Sequence, residues 1–231
     1  MKKERIILWT ITVLILGGTV FALAKLPKSE KRPLEGRIVD LPAVTEADWI
    51  TGNKSSTNTL VEYGDFQCPA CGSYHSLIKK LLTEHGKDFR FVFRHFPLQQ
   101  HANAKNAAYA AEAAGRQRKF WEMHDMIYEH QSDWSEKTNA QDIFLGYANA
   151  LKLNADQFKK DRGLAEVEDR VNKNLQEGLK IRINATPTFF LNGKQIQPQT
   201  YDQFVNFIKP AGSVSPSPIP SASSRQAQPT F

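Results

Sequence analysis

Thr59-Leu60-Val61-Glu62-Tyr63-Gly64-Asp65-Phe66-Gln67-Cys68-Pro69-Ala70-Cys71 runs from strand-forming residues into two cysteines three positions apart. Its first eight residues have strand composition. From Cys68 onward, Leu77, Leu81 and Leu82 recur at helical spacing until Gly86 offers a stop. Phe89-Arg90-Phe91-Val92-Phe93-Arg94-His95-Phe96 then alternates as a second strand. Strand, helix, strand predicts a βαβ unit: a parallel pair joined by a right-handed crossover, with the cysteines where the first strand gives way to the helix.

That position bears on their chemistry. A thiol attacks as its thiolate, and an unperturbed cysteine has a pKa near 8.5. At a helix N-terminus the Cys68 sulfur meets unpaired backbone N–H groups and the positive end of the helix dipole, both of which favour the anion. Pro69, just inside the helix, forfeits no hydrogen bond there. Cys71, one turn on, is spaced to attack a mixed disulfide formed at Cys68, so a nucleophile and a resolving thiol are both present. Cys68 and Cys71 are the chain's only cysteines, too few for a disulfide-stapled scaffold. Two other readings fit the spacing less well. A zinc site could use Cys68, Cys71 and His75, but its fourth ligand would have to come from distant His101, His124 or His130, with no second cysteine pair. A structural disulfide closing so short a loop constrains the unfolded chain very little.

Outward from this unit, Ala102–Gly115, Phe120–His130, Ala140–Leu151 and Ala165–Leu179 form Ala-rich or amphipathic runs, a helical block over about 100–180. Thr188–Leu191 and Lys194–Ile196 flank Asn192-Gly193, a strong two-residue hairpin signal. Tyr201–Lys209 reads as a closing helix with Phe204, Phe207 and Ile208 facing inward. The expected architecture is α/β: a mixed central sheet flanked by helices, interrupted by a helical insertion.

The ends differ in character. Residues 1–5 form a basic head, and Ile6 to Ala24 is a stretch of nineteen residues without a charge. At 1.5 Å per residue such a stretch covers about 28 Å, roughly a hydrocarbon core. It is expected to be a transmembrane signal-anchor with a cytoplasmic N-terminus, the alternative being a cleaved secretory signal; both export the rest of the chain. Residues 25–47 read as a linker and 210–231, rich in Pro and Ser, as a disordered tail. Of the formal charge of +6, residues 1–32 carry seven basic against two acidic side chains, so the body is close to neutral. A neutral body lacks the concentrated basic face that nucleic acid requires.

Four stretches in the right order identify a resemblance: residues 60–71, Arg94-His95-Phe96-Pro97-Leu98, Lys119-Phe120-Trp121-Glu122-Met123-His124-Asp125, and Thr186-Pro187-Thr188-Phe189-Phe190-Leu191-Asn192-Gly193. Over roughly residues 48–209 the chain resembles the DsbA-like branch of the thioredoxin superfamily. The resemblance implies a thioredoxin-like fold with an inserted helical domain. It implies that Pro187 is a cis-proline beside the cysteine pair, that Thr186 offers backbone groups to an extended substrate, and that Glu62 is a buried acid. The alternation Leu60, Glu62, Gly64, Phe66 puts Glu62 on an apolar face, where burial raises a carboxyl pKa and suits it to exchange a proton with Cys71. His95 reads as a structural histidine at a strand end, and Phe120, Trp121 and Met123 as core.

The expected activity is thiol-disulfide exchange through Cys68 and Cys71, oxidising cysteines of exported proteins on the extracytoplasmic side of the cell membrane. No cofactor beyond the Cys68–Cys71 disulfide, no metal and no nucleic acid is expected, and a membrane or soluble redox partner is needed to reset the pair. Ala70 stands where the best-known oxidase of this branch has His, which weakens the electrostatic support for a thiolate at Cys68. Reduction or isomerisation by the same fold, or a membrane-anchored binding module without turnover, are the alternative readings.

Overall fold

The computed structural model describes residues 36–209. Five strands form one mixed sheet: β1 (Trp49–Gly52), β2 (Thr59–Gly64), β3 (Arg90–His95), β4 (Thr188–Leu191) and β5 (Lys194–Ile196), in the order β1-β3-β2-β4-β5. The expected βαβ unit is present. β2 and β3 pair in parallel, with Leu60 opposite Phe91 and Glu62 opposite Phe93, and helix α1 (Pro69–His85) connects them. β4 lies antiparallel to the other side of β2, so β2 is central, and all six of its residues are buried.

Asn192 and Gly193 have φ of 51° and 81°, the left-handed backbone that a two-residue hairpin with right-handed strand twist demands. Asn192 also locks this turn to the start of β2: its Oδ1 accepts from Thr59 N at 2.8 Å, and its N donates to Thr59 O at 2.9 Å.

Between β3 and β4 lie α2 (Ala104–Arg116), α3 (Phe120–Glu129), α4 (Gln131–Trp134), α5 (Ala140–Ala150), α6 (Ala155–Arg162) and α7 (Ala165–Lys180); α8 (Tyr201–Ile208) closes the domain. The hub is α2. Its buried Ala104, Ala107, Ala108, Ala110, Ala111, Ala113 and Ala114 let α3, α5, α6 and α7 all approach its backbone. The short helices α4 and α6 have no separate signal in the sequence.

Strand alternation divides the core in two. Leu60, Phe91, Phe93 and Phe189 face a large cluster with Ile78 and Leu81 of α1, Met123 and Ile127 of α3, and Phe204 and Ile208 of α8. Val61, Tyr63, Val92 and Phe190 face a smaller one with Phe96 and Ile183. Phe207 is partly buried against the larger core, and Trp121 joins it likewise, while Phe120 and Met123 are fully inside.

One feature lies in the stretch that reads as a linker, and another just beyond it. Residues 36–39 run along β5, with Gly36 N donating to Gln195 O at 3.0 Å and Gln195 N to Arg37 O at 2.9 Å; Val39, Leu41 and Val44 pack on the smaller core. β1 is the antiparallel edge strand beside β3. Its Trp49 stacks on Phe120 at 4.2 Å and lies over Gly115, where any Cβ would sit 2.4 Å from the indole. Among the described residues no helix is long and apolar enough to cross a membrane; the expected anchor, 6–24, and the tail, 210–231, lie outside them.

Candidate active site: a cysteine pair at a helix N-terminus

Cys68 is the N-cap of α1, in extended conformation, with Pro69 opening the first turn. The last residue before the helix therefore carries the sulfur. Both cysteines are free thiols, and their burial differs: Cys68 retains 7% of its surface, next to exposed Pro69 and Ala70, whereas Cys71 retains none. Attack from solvent can reach Cys68 only.

The two thiols are pushed apart. A hydrogen bond from the Cys71 thiol, opposed by partial burial and joined by contributions from Thr186 and the backbone N–H groups of Cys71 and Ala70, lowers Cys68 to about 5. Burial first, and then the bond it makes to Cys68, push Cys71 well above the ordinary thiol range. Asp65 N points at the Cys71 sulfur at 3.5 Å. Above about pH 5 the pair is then one thiolate and one thiol, the state in which one sulfur attacks while the other waits.

Thr186 and Pro187 meet the cysteines from 118 residues away. The Thr186–Pro187 peptide is cis, as the resemblance implies, and the Cys68 thiol donates to Thr186 O at 3.3 Å. Pro187 itself is half-buried beside this contact. Glu62 is 4% exposed on the large-core face of β2, as the alternation predicts. Burial, and secondarily the charge of Cys68, push its carboxyl up to about 8. It holds a proton at neutral pH and can release it to a departing thiolate.

Several residues of the site had no signature in the sequence. The insertion grips the loop before Cys68 from above: Gln131 Nε2 donates to Phe66 O at 2.6 Å and to Cys68 O at 3.0 Å. Gln67 donates through Nε2 to Ser135 O at 2.7 Å and accepts from Asn103 N at 2.6 Å. Asp65, fully buried, accepts from Gln67 N and Leu98 N and pairs with His101 Nδ1 at 2.6 Å. Tyr128 packs on Phe66 at 4.8 Å with its hydroxyl buried and without a partner among the described residues. His95 donates to Glu112 at 2.8 Å, which fits a structural histidine. His75 does not join the cysteines: its Nε2 lies 2.9 Å from Asp125 Oδ1.

Among solved structures, the chain is similar to BdbD from Bacillus subtilis in its oxidised form, with a TM-score of 0.65 and 23% identity over 75% of this chain and 96% of that one. It is similar also to alpha-DsbA1 from Wolbachia pipientis, with a TM-score of 0.64 and 20% identity over 73% of this chain and 92% of that one. At such identities the likeness speaks to the fold. In sequence, the Na(+)/H(+) antiporter NhaA 1 of Salinispora arenicola is 37% identical over 201 residues, which cover 84% of this chain. The chain spans 30% of the length of that antiporter. The thioredoxin family model matches residues 44–210, from the segment before β1 to just past α8, and by that match the chain belongs to the thioredoxin family.

Proposed function

We propose that this protein is a thiol-disulfide oxidoreductase that exchanges disulfides through Cys68 and Cys71 and works mainly as an oxidant of exported proteins. The observation that carries the reading is the split between the two thiols, with Cys68 lowered to about 5 at the mouth of the site and Cys71 raised and sealed beneath it.

In the oxidising direction a substrate thiolate attacks Cys68 of the Cys68–Cys71 disulfide, forming a mixed disulfide and expelling Cys71 as a thiolate. Cys71, with its high proton affinity, takes a proton from the Glu62 carboxyl. A second substrate thiolate then attacks the substrate sulfur of the mixed disulfide and expels Cys68. Two electrons have passed from the substrate to the pair. A low pKa makes Cys68 a good leaving group and stabilises the reduced enzyme, so both effects favour oxidation of the substrate. Each unit of thiol pKa corresponds to ~30 mV in a two-electron couple, and a value near 5 lies between those of thioredoxin, ~7, and DsbA, ~3.5. The exposed edge at Thr186 and Pro187 supplies backbone groups for an extended substrate segment. Residues 6–24 hold the domain on the extracytoplasmic face of the membrane, and a separate redox partner returns the pair to the disulfide.

Equilibration of the purified protein against glutathione buffers tests the direction. A potential above about −200 mV is expected of an oxidant, and one below about −250 mV, near thioredoxin's, overturns this reading. A Cys71→Ala variant should accumulate mixed disulfides with substrate, and equal accumulation by Cys68→Ala would reverse the assigned roles.

A further inference from the structure

We infer that His75, His124 and Asp125 form a binding site for a divalent transition metal of the zinc class, separate from the cysteine pair, which ties α1 to the helical insertion. Nothing in the proposed exchange reaction uses these three residues. They come from two elements: His75 lies one turn beyond Cys71 on α1, and His124 and Asp125 are neighbours on α3.

The geometry is convergent. His75 Nε2 lies 2.9 Å and His124 Nδ1 3.2 Å from the same oxygen, Asp125 Oδ1, and the donor atoms of all three residues fall within 4.8 Å of one another. Tetrahedral zinc with bonds of about 2.0–2.1 Å holds its ligand atoms about 3.3 Å apart, so each ring nitrogen is already at nearly the right distance from the carboxylate oxygen, and the two rings need to close on one another by up to about 1.5 Å. One cation would stand where the two ring protons now point at the carboxylate. Two imidazoles and a carboxylate are ligands that zinc accepts, and a fourth position would be left to solvent.

The surroundings suit a held ion. Both imidazole side chains are 5% exposed, fixed among Phe66, Phe93 and Tyr128, while Asp125 is 35% exposed and opens on a cleft of about 240 Å³. Buried rings below and a solvent-facing carboxylate above make a site with a path of entry. Among the described residues the lysine or arginine now at Asp125 is Lys79, whose Nζ lies 3.1 Å from the other oxygen, Oδ2. Lys79 is half exposed and also pairs with Glu129, so it can stay with Glu129 when a metal arrives.

The test must keep this site apart from the thiols, which also bind zinc. The full chain is therefore oxidised to its Cys68–Cys71 disulfide and titrated with zinc chloride by calorimetry, while the ring nitrogens of its histidines are followed by NMR. One zinc per chain is expected, with shifts at His75 Nε2 and His124 Nδ1 and a raised unfolding midpoint. Asp125→Asn, at the exposed ligand, and His124→Ala should each weaken binding by more than about tenfold. Because the ring shifts are read in the unsubstituted protein, a folding defect in either variant leaves the test intact. Zinc that binds without moving those two rings, zinc taken only by the reduced chain, or no binding at all overturns the site.

Discussion

The sulfur of Cys68 lies 3.3 Å from the backbone carbonyl oxygen of Thr186, and the Thr186 hydroxyl is buried without a partner among the described residues. A carbonyl can accept from the thiol but offers nothing to the thiolate. The hydroxyl, free to turn, can donate to the anion. Thr186→Val keeps the carbonyl and removes that donor. A hydrogen bond to a charged group contributes ~1.5–3 kcal/mol, so the Cys68 pKa should rise from about 5 by about one to two units. The pH dependence of alkylation at Cys68 measures this, and an unchanged midpoint would mean the hydroxyl never turns to the sulfur.

Glu62 gives a stability prediction whose sign follows from its shift. Its carboxyl is raised from 4.5 to about 8, by burial first and the charge of Cys68 second. Below pH 4.5 the acid is protonated in both folded and unfolded chains, and its contribution is intact. As pH rises from there the unfolded chain ionises first, so stability falls until the folded carboxyl also ionises near 8. Glu62→Gln removes this slope. The variant should match the parent near pH 4 and exceed it by ~3 kcal/mol at pH 7, at ~1.4 kcal/mol per unit. Denaturant unfolding at the two pH values checks it. The same variant should slow reduction of the disulfide by a substrate thiol, because Cys71 then leaves without a nearby proton.

Much of this was legible because it is local. Cys68, Pro69 and Cys71 announce a helix start, and Asn192-Gly193 announces a hairpin, through backbone requirements that act within a few residues. Glu62 was readable from its place in an alternating strand. Gln131 was not, since it bonds to main-chain carbonyls 63 and 65 residues away, and a main-chain acceptor has no identity to read. β1 escaped for another reason: with four residues it is too short to show a period, and its place is set by Trp49 finding Gly115 and Phe120 in the insertion. Helices α4 and α6 are short in the same way.

Glu112 fastens that edge. Its carboxylate, 2% exposed, accepts from Trp49 Nε1 at 2.7 Å, His95 Nε2 at 2.8 Å and Arg170 Nη1 at 3.3 Å, joining β1, β3 and α7 to α2. Breaking a buried charged network by removing one partner costs ~3–5 kcal/mol. Glu112→Ala should cost that much in chemical denaturation. The Cys68 pKa should hold, because Glu112, Trp49, His95 and Arg170 are not among the groups that lower it; a shifted pKa together with a small stability loss would contradict this independence.

The grip of Gln131 on the cysteine loop yields a coupling that a simple tally of contacts would miss. Gln131 donates to Phe66 O and Cys68 O, and its side chain lies where Gly72 leaves room: a Cβ at Gly72 would come within 2.9 Å of Gln131 Oε1. Gln131→Ala strips Phe66 O of its side-chain donor and leaves Cys68 O with the Gly72 N–H at 3.1 Å, and should cost ~1–3 kcal/mol. Gly72→Ala should gain helix propensity of ~1 kcal/mol and lose more by displacing Gln131. If displacement is the cause, adding Gly72→Ala to Gln131→Ala costs nothing further and recovers the propensity, so the double variant is more stable than Gln131→Ala alone. Additive losses across this cycle would mean that Gly72 is needed for some other reason, and that the loop before Cys68 is not held by the insertion in the way the hydrogen bonds imply.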